Sequence, residues 1–275
     1  MTLQLPRKRR IIPAYIRCQL KRLKMNEKNI NLARELDHWY EKICTPDFIA
    51  LDPVKFPRRY TKREDIEIAA FLSATIAWGR RDLILRSAEK MFAMMGESPY
   101  SFVMSGGYKK LKTANIHRTF FEGDLKYFCR GFEHCYAKYG NLENLFAGAS
   151  DIWEGIALFR EEIAKANRGQ YSKHIADPGA EDENGSACKK HNLALRWLAR
   201  KGPVDMGIWK KIDPPSLYIP LDVHVARTAR KLRLLERKSN DKKAVIALTE
   251  KLREFCPEDP VKYDFALFGI GALNN

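Results

Sequence analysis

Helices alone should build this protein, giving it an all-α fold. Three features of the 275-residue chain point there. Apolar residues recur at helical spacing from Met25 onward. The β-branched alternation of sheets is almost absent, and nothing repeats in a βαβ rhythm. With 45% hydrophobic and 30% charged residues, the composition belongs to a folded chain rather than a disordered one. The length suits one compact domain or two closely packed lobes.

The elements follow in order. Residues 28–43 form an amphipathic helix with Leu32, Leu36, Trp39 and Tyr40 near one stripe. Leu51–Tyr60 carries two prolines and reads as an ordered loop. Thr61-Lys62-Arg63-Glu64 is a capping box, opening a helix whose run from Ile66 to Ala77 is apolar on more than one face. That marks a central, buried helix. Gly79 should end it, and Arg80-Arg81-Asp82 should start the next. Further helices are expected at 120–138, 141–148, 151–167, 187–200, 223–235, 242–255 and 260–271, the last with Pro260 in its first turn behind an Asp259 cap. Residues 175–186 read as a polar loop.

Composition excludes several classes of function. Six cysteines without a CxxC pair give neither a disulfide scaffold nor a cluster site, and six scattered histidines give no metal centre. No Walker A loop, dinucleotide fingerprint, HExxH or GxSxG occurs, so no cofactor and no metal are expected. No stretch reaches membrane-spanning length, and the expected setting is a reducing cytoplasm. The net charge is +15, and eight of those charges lie in residues 1–24, which contain no acid. This extension is either a nucleic-acid-binding arm, a solubilising tail, or sequence upstream of a true start at Met25. The helical domain then spans 25–275.

The stretch Ile219-Pro220-Leu221-Asp222-Val223-His224 resembles the helix-hairpin-helix DNA glycosylase superfamily, in which an Asp-x-His element opens a helix. The phrases LDPVKFPRRY (51–60), DIEIAAFLSATIAWG (65–79), GSACKKHNLALRWLAR (185–200), DMGIW (205–209) and DPVKYDFAL (259–267) resemble an uncharacterised bacterial family, a domain of unknown function linked to that superfamily. The resemblance covers about residues 30–275 and implies a bilobal helical bundle with a cleft. It puts the catalytic aspartate on Asp222. The superfamily's usual LPGVGxK hairpin lysine has no counterpart in Lys201–Lys210, which puts the standard DNA-backbone clamp in doubt. An archaeal 8-oxoguanine glycosylase branch instead draws its lysine from an earlier helix, about thirty residues before the aspartate. Lys190 and Lys189 lie 32 and 33 residues before Asp222, so spacing favours Lys190 slightly.

The residues also have readings of their own. Asp222 can cap its helix by accepting the Val225 amide, and the helix dipole favours a carboxylate there whether it caps or catalyses. Lys189 and Lys190 are nucleophile candidates, or solvated lysines after a polar loop. Trp78, Trp197, Trp209, Phe56, Tyr60 and Tyr218 can stack on an extruded base or fill a core, Trp209 looking the least core-like. Arg58, Arg59, Arg80, Arg81 and Arg227 can meet phosphate or form a solvated face, with His224 beside the aspartate as a substrate contact. Asp264 interrupts an apolar helix, as a structural ion-pair partner or a substrate-positioning carboxylate.

The leading expectation is a monomeric DNA repair glycosylase, with AP-lyase activity, that acts on double-stranded DNA and excises a damaged base such as 8-oxoguanine. It would be nucleoid-associated. The alternatives are a non-catalytic DNA- or RNA-binding protein on the same scaffold, and a structural protein of incidental basicity.

Overall fold

A computed structural model describes residues 25–180 and 185–273. The basic extension 1–24 and residues 181–184 of the polar loop lie outside the described residues. Within them helices dominate, and the fold is all-α. Its helices are α1 (Glu27–Ile43), α2 (Pro46–Ala50), α3 (Arg63–Thr75), α4 (Arg81–Met95), α5 (Pro99–Met104) and α6 (Glu122–Tyr139). They continue with α7 (Leu142–Ala147), α8 (Ile152–Ala166), α9 (Lys189–Ala199), α10 (Val223–Lys231), α11 (Lys242–Phe255) and α12 (Tyr263–Leu273). Among the described residues one element of sheet occurs, an antiparallel pair of β1 (Asn115–His117) and β2 (Phe120–Phe121) with an irregular register.

Helix α3 is the centre that its apolar run predicts. Every residue from Asp65 to Thr75 is buried, and the helix packs against α9. Phe71 stacks with Phe146 and Phe159, tying α3 to α7 and α8. Burial of each such side chain stabilises the fold by about 1.5–3 kcal/mol. The expected capping box does not form. Lys62 occupies the N-cap and no side chain caps the helix. Glu64 and Asp65 still supply first-turn acids that suit the helix dipole.

Several boundaries differ from the sequence reading. Helix α3 stops at Thr75, so Ile76 and Ala77 leave it as a turn, and Gly79 follows at φ +97° in a conformation that a side chain would strain. Helix α10 ends at Lys231 rather than 235, because Arg233 turns into the left-handed region at φ 57°. Residues 260–262 are a 3-10 turn without an Asp259 side-chain cap. Asp259 instead accepts from Nε of the buried Arg200. The short helices α2 and α5, each with proline in the first turn, had no expectation in the sequence reading. Helix α11 matches its expected span of 242–255. Among the described residues, no helix is long and apolar enough to cross a membrane.

Candidate functional site

A cavity of about 540 Å³ opens where α2, the 76–84 segment, α9, the 220–225 segment and α12 meet. Its apolar wall includes Phe48, Trp78, Leu193, Phe265 and Phe268. Its polar groups are Asp52, Arg81, Lys189, Arg196, Asp222, His224, Asn240 and Asp264. An aromatic hollow with convergent charges suits a planar ligand bearing polar edges.

Asp222 is the N-cap of α10, where its Oδ1 accepts the amides of His224 and Val225, both at 2.9 Å. Pro220 keeps the preceding backbone extended, so the helix begins where the aspartate can bend back. The other oxygen, Oδ2, stands 3.8 Å from Lys189 Nζ. Lys189 is the first residue of α9 and follows Cys188, which sits in the left-handed region at φ 46°. Its amine also donates to the Ala77 carbonyl at 2.9 Å, an oxygen made available because α3 has already ended. The cap and the lysine contact therefore use different oxygens of one carboxylate. Capping leaves the second oxygen facing the lysine.

Asp264, on α12, also lines the cavity and is bound through Oδ2 to Nη1 of Arg196. Its Oδ1 is buried and has no hydrogen-bond partner. Burial pushes this carboxyl up to about 7, with Arg196 opposing and Asp222 reinforcing the rise. Arg196 also pairs with the buried Asp205, which Arg200 holds from its other side at 2.7 Å. A chain of buried charges thus anchors the cavity wall to the end of α9. Asp52 caps the 3-10 turn Pro53–Lys55 through Val54, and burial raises its carboxyl as well.

The structure brings together Asp222, Lys189, His224, Arg81 and Asp264 at this cavity. Lys190, the amine that spacing favours, does not line it. Its Nζ rests 4.3 Å from the Trp78 ring centre, and burial, with Lys189 beside it, pushes its pKa down to about 8. Trp197 and Trp209 stand in the core, both essentially without exposure. Trp209 looked the least core-like because lysines flank it, yet its Nε1 donates to the buried Glu67 at 2.8 Å. Arg59 is bound to Glu89 and Arg80 to Asp82, while Arg58 donates to the Val204 carbonyl. Arg227 belongs to a separate small hollow with Glu35 and Lys231. Only Arg81 of the basic run reaches the cavity, with its guanidinium 5.0 Å from the Phe268 ring centre.

Sequence reasoning missed Asp52, Phe48, Phe268 and Arg196. Asp52 carried a usable signal, an aspartate immediately before a proline, which is an N-cap pattern. Among the described residues, no group of three or more His, Cys, Asp and Glu side chains is placed to hold a metal.

No curated protein and no solved structure matches the chain. Residues 52–273 match the family described as "Protein of unknown function (DUF2400)". That stretch takes in the whole cavity except Phe48, and by it the chain belongs to the DUF2400 family.

Proposed function

We propose that this protein is a DNA N-glycosylase with lyase activity, built on a scaffold like that of the helix-hairpin-helix glycosylases, with Lys189 as nucleophile and Asp222 as the carboxylate that assists it. The observation that carries the reading is the 3.8 Å approach of the Lys189 amine to Asp222 Oδ2 inside an aromatic-walled cavity. Lysine-dependent base excision needs this pair. The neutral amine attacks C1′ of the nucleoside, the bond from C1′ to the base breaks, and the base leaves with the electron pair. The carboxylate stabilises positive charge on the sugar and is placed to take the ammonium proton. The carboxylate passes that proton to O4′, the C1′–O4′ bond breaks as the nitrogen lone pair forms the C1′ iminium, and loss of a C2′ proton to the departed base anion then expels the 3′-phosphate.

Other features support the same reading. The N-terminus of α10 opens at the cavity, where its dipole favours a phosphate. Asp264 adds a second carboxyl group to the cavity lining, for a donor on the extruded base. Damaged guanine, with two N–H donors along one edge, fits that acceptor.

Borohydride reduction tests the reading directly, since it converts the imine into a stable protein–DNA adduct. The parent chain should trap on a duplex carrying 8-oxoguanine or an abasic site. Lys189→Gln should abolish trapping while leaving duplex binding in place. A parent that binds DNA or RNA but never traps or excises would make the protein a nucleic-acid-binding relative without catalysis.

A further inference from the structure

Trp78 sits in the turn between α3 and α4, beside Gly79, where no helix sets its side-chain direction. Three groups from other elements hold it instead. His117 packs edge-on at 4.8 Å between ring centres, and its Nε2 bonds the Trp78 carbonyl at 2.9 Å. His174 stacks on the ring at 5.8 Å. The third is the Lys190 ammonium, 4.3 Å from the ring centre. Consecutive helix residues project about 100° apart, so Lys189 enters the cavity while its neighbour reaches the ring that walls it.

We propose that Lys190 is a positioning residue, whose ammonium seated on the Trp78 indole fixes that ring as the wall against which a nucleobase packs beside Lys189 and Asp222. The inference rests on reading the cavity as a nucleobase site. A cation on an aromatic face is attracted by the ring quadrupole, more strongly where water is excluded. Lys190 is partly buried, and its pKa of about 8 means that it carries its charge below that pH and loses it above. The groups around it are Lys189 and His191 on its own helix, the Trp78 ring, and in contact with that ring His117 and His174, the latter facing Asp124 and Lys173. Burial holds His191 down to about 3 and lowers His174 below its ordinary value, so neither of these imidazoles titrates near 8.

The test uses the full chain and the variants Lys190→Met, Lys190→Arg, Trp78→Phe and Lys189→Met. Tryptophan fluorescence is followed from pH 6 to 10. Binding of 8-oxo-2′-deoxyguanosine, deoxyguanosine and deoxyadenosine is measured at pH 7, and trapping at saturating 8-oxoguanine duplex. The parent should show a fluorescence step near pH 8 that Lys190→Met and Trp78→Phe lose and Lys190→Arg moves upward. Nucleoside binding should weaken about five- to tenfold in Lys190→Met and stay near the parent in Lys190→Arg. Trapping should persist in Lys190→Met and vanish in Lys189→Met. Unchanged nucleoside binding or an unchanged fluorescence step in Lys190→Met overturns the proposal. So does trapping that depends on Lys190 and not on Lys189, which makes Lys190 the nucleophile. A parent that binds nucleoside through Lys190 but never traps retires the glycosylase reading and leaves this one standing. A parent that traps but binds no nucleoside overturns this proposal and leaves the glycosylase reading standing, and one that does neither retires both.

Discussion

Arg196, on α9, donates from Nη1 to Oδ2 of Asp264 on α12, joining the helix that carries Lys189 to a second helix of the cavity wall. Even with that guanidinium in contact, burial holds the Asp264 carboxyl up to about 7. The folded chain therefore keeps this proton to near neutral pH, whereas the unfolded chain releases it near 3.8. The stability associated with the protonated carboxyl is complete below about pH 4 and is lost as pH rises towards 7. Asp264→Asn should flatten that part of the profile, leaving the variant's stability less dependent on pH between 4 and 7. Urea melts at one-unit pH intervals would check it, and a parallel fall in both proteins would assign the slope to other groups.

Replacing the guanidinium is a harsher change. Arg196→Met takes one of two guanidinium partners from the buried carboxylate of Asp205 and removes the contact to Asp264. Breaking a buried pair from one side costs about 3–5 kcal/mol. Equilibrium denaturation should show a loss of that size, and a cost below about 1 kcal/mol would mean that the existing Arg200 pair is enough for Asp205.

Substitution separates the cap that Asp222 makes from its proposed part in excision. Asparagine is as good an N-cap as aspartate, so Asp222→Asn should keep α10 and melt close to the parent. Under the proposed glycosylase activity it should nonetheless lower base excision on the order of 100-fold, through loss of the carboxylate's charge. Asp222→Ala should lose the cap as well, at about 1 kcal/mol. Comparing the thermal midpoints of the two variants with their single-turnover rates distinguishes the cap from the proposed part in excision.

Gly131, inside α6, lets that helix approach α8 closely. A Cβ at this position would overlap the Ile163 side chain, which is fully buried. Gly131→Ala should destabilise by about 1–3 kcal/mol through overpacking, despite alanine's better helix propensity. A rise in the thermal midpoint would show that α6 and α8 can part at little cost.

Much of this fold was legible because period and capping are local. The run from Ile66 to Ala77 announces a buried helix, and Asp222 after Pro220 announces a cap. The lysines show where local reading ends. Spacing from Asp222 cannot separate Lys189 from Lys190, because one step along a helix changes direction by about 100° and scarcely changes distance along the chain. Trp209 shows the same limit from the other side. Its lysine neighbours suggest exposure, but Glu67, 142 residues earlier, supplies the buried acceptor for its indole N–H. Asp264 was the odd residue in an apolar helix, and its oddness did mark the cavity.

The early end of α3 has a consequence for how the Lys189 amine is kept. Its resting partner at position 77 is a main-chain oxygen, and every amino acid brings that oxygen with it. Substitution of Ala77 can change the lining of the hollow without removing the berth where the ammonium waits. Selection can thus vary the side chain at 77 while the amine's idle state stays the same, provided the chain still leaves its helix after Thr75. The dock is written in the path of the backbone, and only a change of path can erase it.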